Sequence, residues 1–209
     1  MLRDKSLTDL CAALASSEPT PGGGSGAAAA GALGASLLGM VAGRTLEREG
    51  SSPLAREVQD VCDRAQALRR KLLELVDQDA QAYAQVIAAV RLPKDTEAQK
   101  ERRRETLQKA YLFASEVPLT TAEACLAVLA GAGSVVLRAP RALASDLAAG
   151  VHLAHAGAMS ALLNIEANLP YVKDAGMAQR LRERATPLRQ RADALRDDVL
   201  RKLAALSRP

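Results

Sequence analysis

Two aspartates and a bare, glycine-rich turn are the residues whose types and spacing could do chemistry in this 209-residue chain. Asp79 falls on an apolar stripe at helical spacing, between Val76 and Tyr83, where a hydrophobic side chain is expected. A carboxylate there is costly unless it is paired, hydrogen-bonded or protonated. It reads either as the buried partner of an arginine or as an acid/base or ligand-orienting group whose pKa is raised by burial. Asp146 opens a second face, followed at helical spacing by Gly150, Leu153, Gly157, Ser160, Asn164 and Asn168. That face is small and polar, and it reads as a ligand wall or as a polar seam between helices; Ser145-Asp146 is also an ordinary helix-start pair.

The turn is Pro19-Thr20-Pro21-Gly22-Gly23-Gly24-Ser25. Two prolines bar an entering helix, and three glycines allow freedom and close approach. Ser25 is expected as the N-cap of a following helix whose first N–H groups lie open to anions or polar ligand atoms. No Lys-Ser/Thr pair follows the glycines and no strand-like run precedes them, so neither a P-loop nor a dinucleotide fingerprint is present.

These groups need helices to hold them. Hydrophobic residues make up 48% of the chain and aromatics only 2%, which favours packed helices over a β-sandwich. The expected fold is therefore all-α, one antiparallel helical bundle formed by residues 1–209 as a single domain. In the helix after the turn, Gly31, Ala35, Gly39 and Gly43 form a groove at every fourth residue, with Leu33, Leu37, Leu38, Met40 and Val41 on the other faces. That helix is expected to be buried on nearly every side. Its apolar run, Gly26 to Gly43, is rich in Gly and Ala and falls short of the ~20 strongly apolar residues of a membrane span.

Further along, Leu7, Leu10, Cys11 and Leu14 predict a short amphipathic lid or packing helix. Ser51-Ser52-Pro53 reads as a cap and first turn of a long helix whose stripe runs from Leu54 through Tyr83 to Val90. A helix starting near Asp95-Thr96 should kink or break at Pro118, resume, and end at Gly131 and Gly133. Leu143 to Leu169 carries a core stripe, and a pair of covering helices, broken at Pro187, fills Asp174 to Ser207.

The net charge of +4 suits an anionic small molecule at least as well as nucleic acid, and four ring residues leave few stacking platforms for single strands. Cys11, Cys62 and Cys125 have neither zinc-ribbon nor disulfide spacing and read as buried thiols in a cytoplasmic protein. His152 and His155 are neighbours on a helix but too few for a metal site. No apolar signal core follows Met1.

The stretch from Pro19 to Ala42 resembles the signature of the cyclodeaminase/cyclohydrolase family, helical folate enzymes related to the C-terminal half of formiminotransferase-cyclodeaminase. Further matches are Asp79-Ala80-Gln81-Ala82-Tyr83, Pro93-Lys94, Val117-Pro118-Leu119, Ser145-Asp146 and Asn164 to Leu169. The resemblance implies a homodimer acting on tetrahydrofolate one-carbon units, as methenyltetrahydrofolate cyclohydrolase or formiminotetrahydrofolate cyclodeaminase, with no metal or redox cofactor. It implies Asp79 and Asp146 as proton-transfer groups, Asn164 and the Pro21-Gly22-Gly23-Gly24-Ser25 backbone as folate contacts, and Lys94, Arg44 and Arg141 as partners for carboxylates. Where the family pattern carries two asparagines before Ser145, this chain has Ala139-Pro140-Arg141-Ala142-Leu143-Ala144. That difference keeps open a non-catalytic folate-binding or assembly module of the same fold.

Overall fold

Local signals fix several helix ends in the computed structural model, which describes residues 1–50 and 52–206. The Ser6 hydroxyl accepts from the Asp9 N–H and starts α1 (Leu7–Leu14). Thr96 and Gln99 form a reciprocal capping box at the start of α4 (Glu97–Val135). The other helices are α2 (Gly23–Glu49), α3 (Ala55–Val90), α5 (Ala144–Asn168) and α6 (Ala175–Leu206), with short 3-10 turns at Leu2–Asp4, Arg141–Leu143 and Leu169–Tyr171. The chain is all-α, as its composition predicts; among the described residues there is no strand. Of the expected Ser51-Ser52-Pro53 cap, Ser51 lies outside the described residues, and α3 begins at Ala55, beyond Pro53.

Helices α2, α3, α4 and α5 run alternately up and down around one core, in which Leu38, Leu72, Leu119, Leu129, Leu147 and Ile165 are fully buried. α6 lies along α4 and α5, with Arg184–Glu123 and Arg189–Glu166 ion pairs at its edges. Small residues set the spacing of α2 and α5. A Cβ at Gly34 would stand 2.8 Å from the Gly150 carbonyl, and one at Gly157 would stand 2.8 Å from the Ala27 carbonyl. The close seam therefore uses Gly31, Gly34, Gly150 and Gly157. The predicted groove ends early, because Gly39 meets Ala65 only at ordinary contact distance and nothing faces Gly43.

Several expectations change in the folded chain. α2 is not buried all round: Leu33 is 51% and Met40 38% exposed, seven residues apart on one stripe. α2 and α4 each contain a window long and apolar enough, by length and composition, to cross a membrane; 50% of the α2 window is buried against other helices. α1 buries no residue, and Cys11 is exposed while Cys62 and Cys125 are buried. α4 runs unbroken through Pro118, and Gly131 lies inside it because a side chain there would press on Leu38, at 2.9 Å. α6 is one helix through Pro187 rather than a pair. Tertiary packing holds these segments helical against the local preference of proline and glycine.

Candidate active site

The site forms where the start of α2 meets the middle of α3 and the end of α5. The Thr20–Pro21 peptide is cis, and Gly22 is extended (φ −127°, ψ −157°) and serves as the N-cap. Ser25, expected as the cap, lies inside the first helical turn and is completely buried. Its hydroxyl oxygen sits 3.0 Å from the Val76 carbonyl and 2.9 Å from Asp79 Oδ2. A hydroxyl has one proton to donate. With Asp79 ionised, Ser25 donates to the carboxylate; with Asp79 protonated, the carboxyl donates to Ser25 while Ser25 serves Val76.

The open helix end predicted for an external anion is thus occupied by a side chain of the protein. The Asp79 carboxylate lies over the first turn of α2 and takes a hydrogen bond from the Ser25 N–H as well as from its hydroxyl. Gly24 is required by this approach, since a Cβ there would collide with the carboxylate, standing 2.5 Å from its Cγ. Burial pushes the Asp79 carboxyl above its ordinary value, and the two hydrogen bonds from Ser25 only partly offset it. Its partner is therefore Ser25, not an arginine.

Asp79 borders a cavity of 260 Å³ that is also lined by Thr20, Gly23, Tyr83, Asn164 and Asn168. The Asn164 amide nitrogen donates to the Ser160 carbonyl (2.8 Å), leaving its oxygen for a ligand. Asn168 donates to the Ala114 carbonyl at 2.7 Å. That carbonyl lies four residues before Pro118, which has no N–H to give it, so the proline and Asn168 complement one another across two helices.

The predicted residues divide into two groups. Pro21, Gly22, Gly23, Gly24, Ser25, Asp79 and Asn164 come together at this end. Asp146 does not: it precedes Asn164 by five turns of α5, about 27 Å at 1.5 Å rise per residue. Arg44, exposed and paired with Glu47, lies a similar distance along α2, and exposed Arg141 lies in the turn before α5. Lys94, in the α3–α4 connection, is exposed and does not line the cavity. Of the two readings of the α5 face, ligand wall or helix seam, the seam holds at Gly150 and Gly157, and the face meets the cavity only through Asn164 and Asn168. Tyr83, expected in the core, is 43% exposed at the cavity instead.

Two polar contacts outside the cavity fasten other elements together. Asp77, nearly buried, accepts the Leu2 N–H at 2.6 Å and lies 3.5 Å from Arg3 Nε, fastening the N-terminal turn to α3. His155 meets Asp193 of α6 at 2.7 Å, an interhelical contact rather than half of a histidine pair.

A buried carboxyl with its pKa raised, beside a small polar cavity, is an arrangement that can hold or release a proton, and here an all-helical bundle carries it. The family model described as Formiminotransferase-cyclodeaminase matches residues 6–187, and the chain belongs to that family. It is 33% identical over 186 residues to the methenyltetrahydrofolate cyclohydrolase of Methylorubrum extorquens, a match covering 89% of each chain. It is also 33% identical over 204 residues to the formimidoyltransferase-cyclodeaminase of Sus scrofa, covering 98% of this chain but 38% of that protein's length. The fold matches the solved formiminotetrahydrofolate cyclodeaminase of Thermotoga maritima with a TM-score of 0.87 over 99% of both chains, at 24% identity.

Proposed function

We propose that this protein opens or closes the one-carbon bridge between N5 and N10 of tetrahydrofolate, as a methenyltetrahydrofolate cyclohydrolase or a formiminotetrahydrofolate cyclodeaminase. The observation that carries this reading is the Asp79 carboxyl, buried against Ser25 at the edge of the cavity. In the hydrolytic reaction water adds to the methenyl carbon, losing a proton, and the C–N5 bond then breaks to leave the 10-formyl product. In the deaminating reaction N10 adds to the formimino carbon and ammonia leaves, giving the methenyl bridge. Both routes pass through a tetrahedral carbon and need one group to take a proton and return it. Asp79 is that group, the Ser25 hydroxyl steadies whichever form it holds, and the Asn164 amide oxygen accepts a hydrogen bond from the bound pterin. No metal or redox cofactor is invoked.

The cyclohydrolase relative supports the hydrolytic branch, and the formimidoyltransferase-cyclodeaminase relative, at the same 33% identity, supports the deaminating one. The chain's Ala139 to Ala144 segment, without the two asparagines, belongs to the far end of α5, away from this cavity. Purified protein mixed with 5,10-methenyltetrahydrofolate should accelerate loss of its ultraviolet absorbance. Mixed instead with 5-formiminotetrahydrofolate, a cyclodeaminase would release ammonia. Inertness toward both would leave the non-catalytic reading.

The functional unit in this proposal is a homodimer, working in the cytoplasm. Leu33 and Met40 are exposed apolar side chains seven residues apart on one stripe of α2, a surface suited to a second copy of the chain. The same α2 packs against α3 and α5 on its other sides, so crossing a lipid bilayer would dismantle the core. Asp146, Arg44 and Arg141 lie at the opposite end of α2 and α5 from the cavity. Antiparallel pairing about a two-fold axis would present them to the cavity of the other subunit.

A further inference from the structure

The chain has one phenylalanine, no tryptophan and three tyrosines; Tyr83 lines the cavity, and Tyr111 and Tyr171 each lie three residues along the chain from a lining residue, Ala114 and Asn168. Tyr111 of α4 and Tyr171, in the turn after α5, stack with centroids 4.8 Å apart and planes 12° from parallel. Tyr83 of α3 shares the cavity lining with Ala114 of α4, three residues after Tyr111. Tyr83 is 43% and Tyr171 53% exposed. In a chain this poor in rings, so much aromatic surface left in water at one place is an unused binding face.

The stack is built rather than incidental. Gln108 donates through Nε2 to the Tyr171 carbonyl (3.1 Å) and accepts through Oε1 from the Lys173 N–H (2.7 Å). One side chain thereby pins both ends of the turn that carries Tyr171. Gln108 and Tyr111 are three residues apart on α4 and so share a face. Arg103, anchored on the Val90 carbonyl at 3.2 Å, brings positive charge toward Tyr111, and Lys173 is exposed just past Tyr171. The cavity itself, at 260 Å³, is below the range of about 300–1,000 Å³ usual for pockets that enclose whole drug-sized ligands. A ligand whose reacting centre sits by Asp79 must extend beyond it.

We infer that Tyr83, Tyr111 and Tyr171 form a second subsite, a stacking shelf for the flat aryl ring of the substrate, with Arg103 and Lys173 meeting carboxylates beyond that ring. This deepens the folate reading above, in which the aryl ring is that of the p-aminobenzoylglutamate half.

The protein supplies its own probe. Without tryptophan, its intrinsic emission comes from the three shelf tyrosines. Titration with p-aminobenzoylglutamate, corrected for the absorbance of the probe, should quench that emission saturably. Tyr171→Leu should raise the KM for methenyltetrahydrofolate about ten-fold, as expected for a lost aromatic contact, with kcat changed less than two-fold. Tyr171→Phe, which keeps the ring, should restore most of the affinity. Gln108→Ala should also raise KM, by loosening the turn.

An active wild-type enzyme that shows no quenching, or whose KM is indifferent to Tyr171→Leu, overturns the shelf and leaves the folate reading standing. Saturable quenching by a protein inert toward both folates does the reverse. It would support an aryl-carboxylate subsite and remove the one-carbon reading.

Discussion

The carboxylate of Asp79 occupies the space in which a side chain at Gly24 would have to stand. One helix thus ends against an acid carried by its neighbour, and the absence of one methyl group lets that carboxyl sit at the edge of the cavity. Gly24→Ala should displace the carboxylate and cost about 1–3 kcal/mol, the range for overpacking a tight contact. Urea denaturation would measure the cost, and turnover should fall with it. Gly22→Ala, at a position with nothing within 4 Å, should be tolerated much better.

Asp79→Asn should keep the fold and reduce turnover by about 10²–10⁴-fold, the usual contribution of general acid–base catalysis. The pH dependence of stability has a definite sign. Burial raises the Asp79 pKa in the folded state, so the native form holds its proton more tightly than the unfolded chain. The favourable contribution is complete below the unfolded pKa and is lost as pH rises through the folded one. The variant lacks that loss, so its melting temperature relative to wild type should increase across this interval. A difference independent of pH would contradict the assignment.

Ser25→Ala removes a hydrogen bond that pulls the Asp79 pKa down. If ionised Asp79 is the working base, the acidic limb of the rate profile should move to higher pH. The limb is read from kcat measured across a buffer series, with circular dichroism confirming the helices. An unmoved limb would mean that another group sets it.

How far the site was legible follows from what helical spacing encodes. The polar intruder at Asp79 and the glycine turn were both readable, because each breaks a local rule. Asp146 and Asn164 share a helical face, yet spacing reports only the direction around a helix axis. It says nothing of height along the axis, and five turns separate the two residues. Which end of α5 meets the turn depends on antiparallel pairing with α2 through Gly34, Gly150 and Gly157, a relationship between distant segments. Tyr83 departs from its expected core position for a related reason: its phase matches the core, but it sits level with the open cavity.

Proline removes an N–H, so the sequence predicts a kink or break at Pro118, while the replacement donor comes from another helix. Asn168→Ala should leave the Ala114 carbonyl without that donor and cost about 1–3 kcal/mol. Pro118→Ala restores a backbone N–H to the same carbonyl, so the Asn168→Ala penalty should shrink in that background. Equal penalties in the two backgrounds, measured by denaturation, would show that the groups act independently.

Leu33→Glu places a charge on the exposed stripe of α2. Light scattering should find a dimer for the wild-type protein and a monomer for the variant, with lower turnover if Asp146 acts across the boundary. A wild-type monomer at high concentration would remove both the assembly and any role for Asp146 at the cavity.

The unequal placement of the three cysteines has a practical consequence. Cys125 is sealed in the core with its pKa pushed up to about 12, and burial also raises that of Cys62, so neither readily forms the nucleophilic thiolate. Cys11 alone is exposed, on the short helix leading into the Pro19–Gly24 turn. A maleimide dye would therefore attach at one address in the native protein, on the helix that precedes the turn, without any engineered residue.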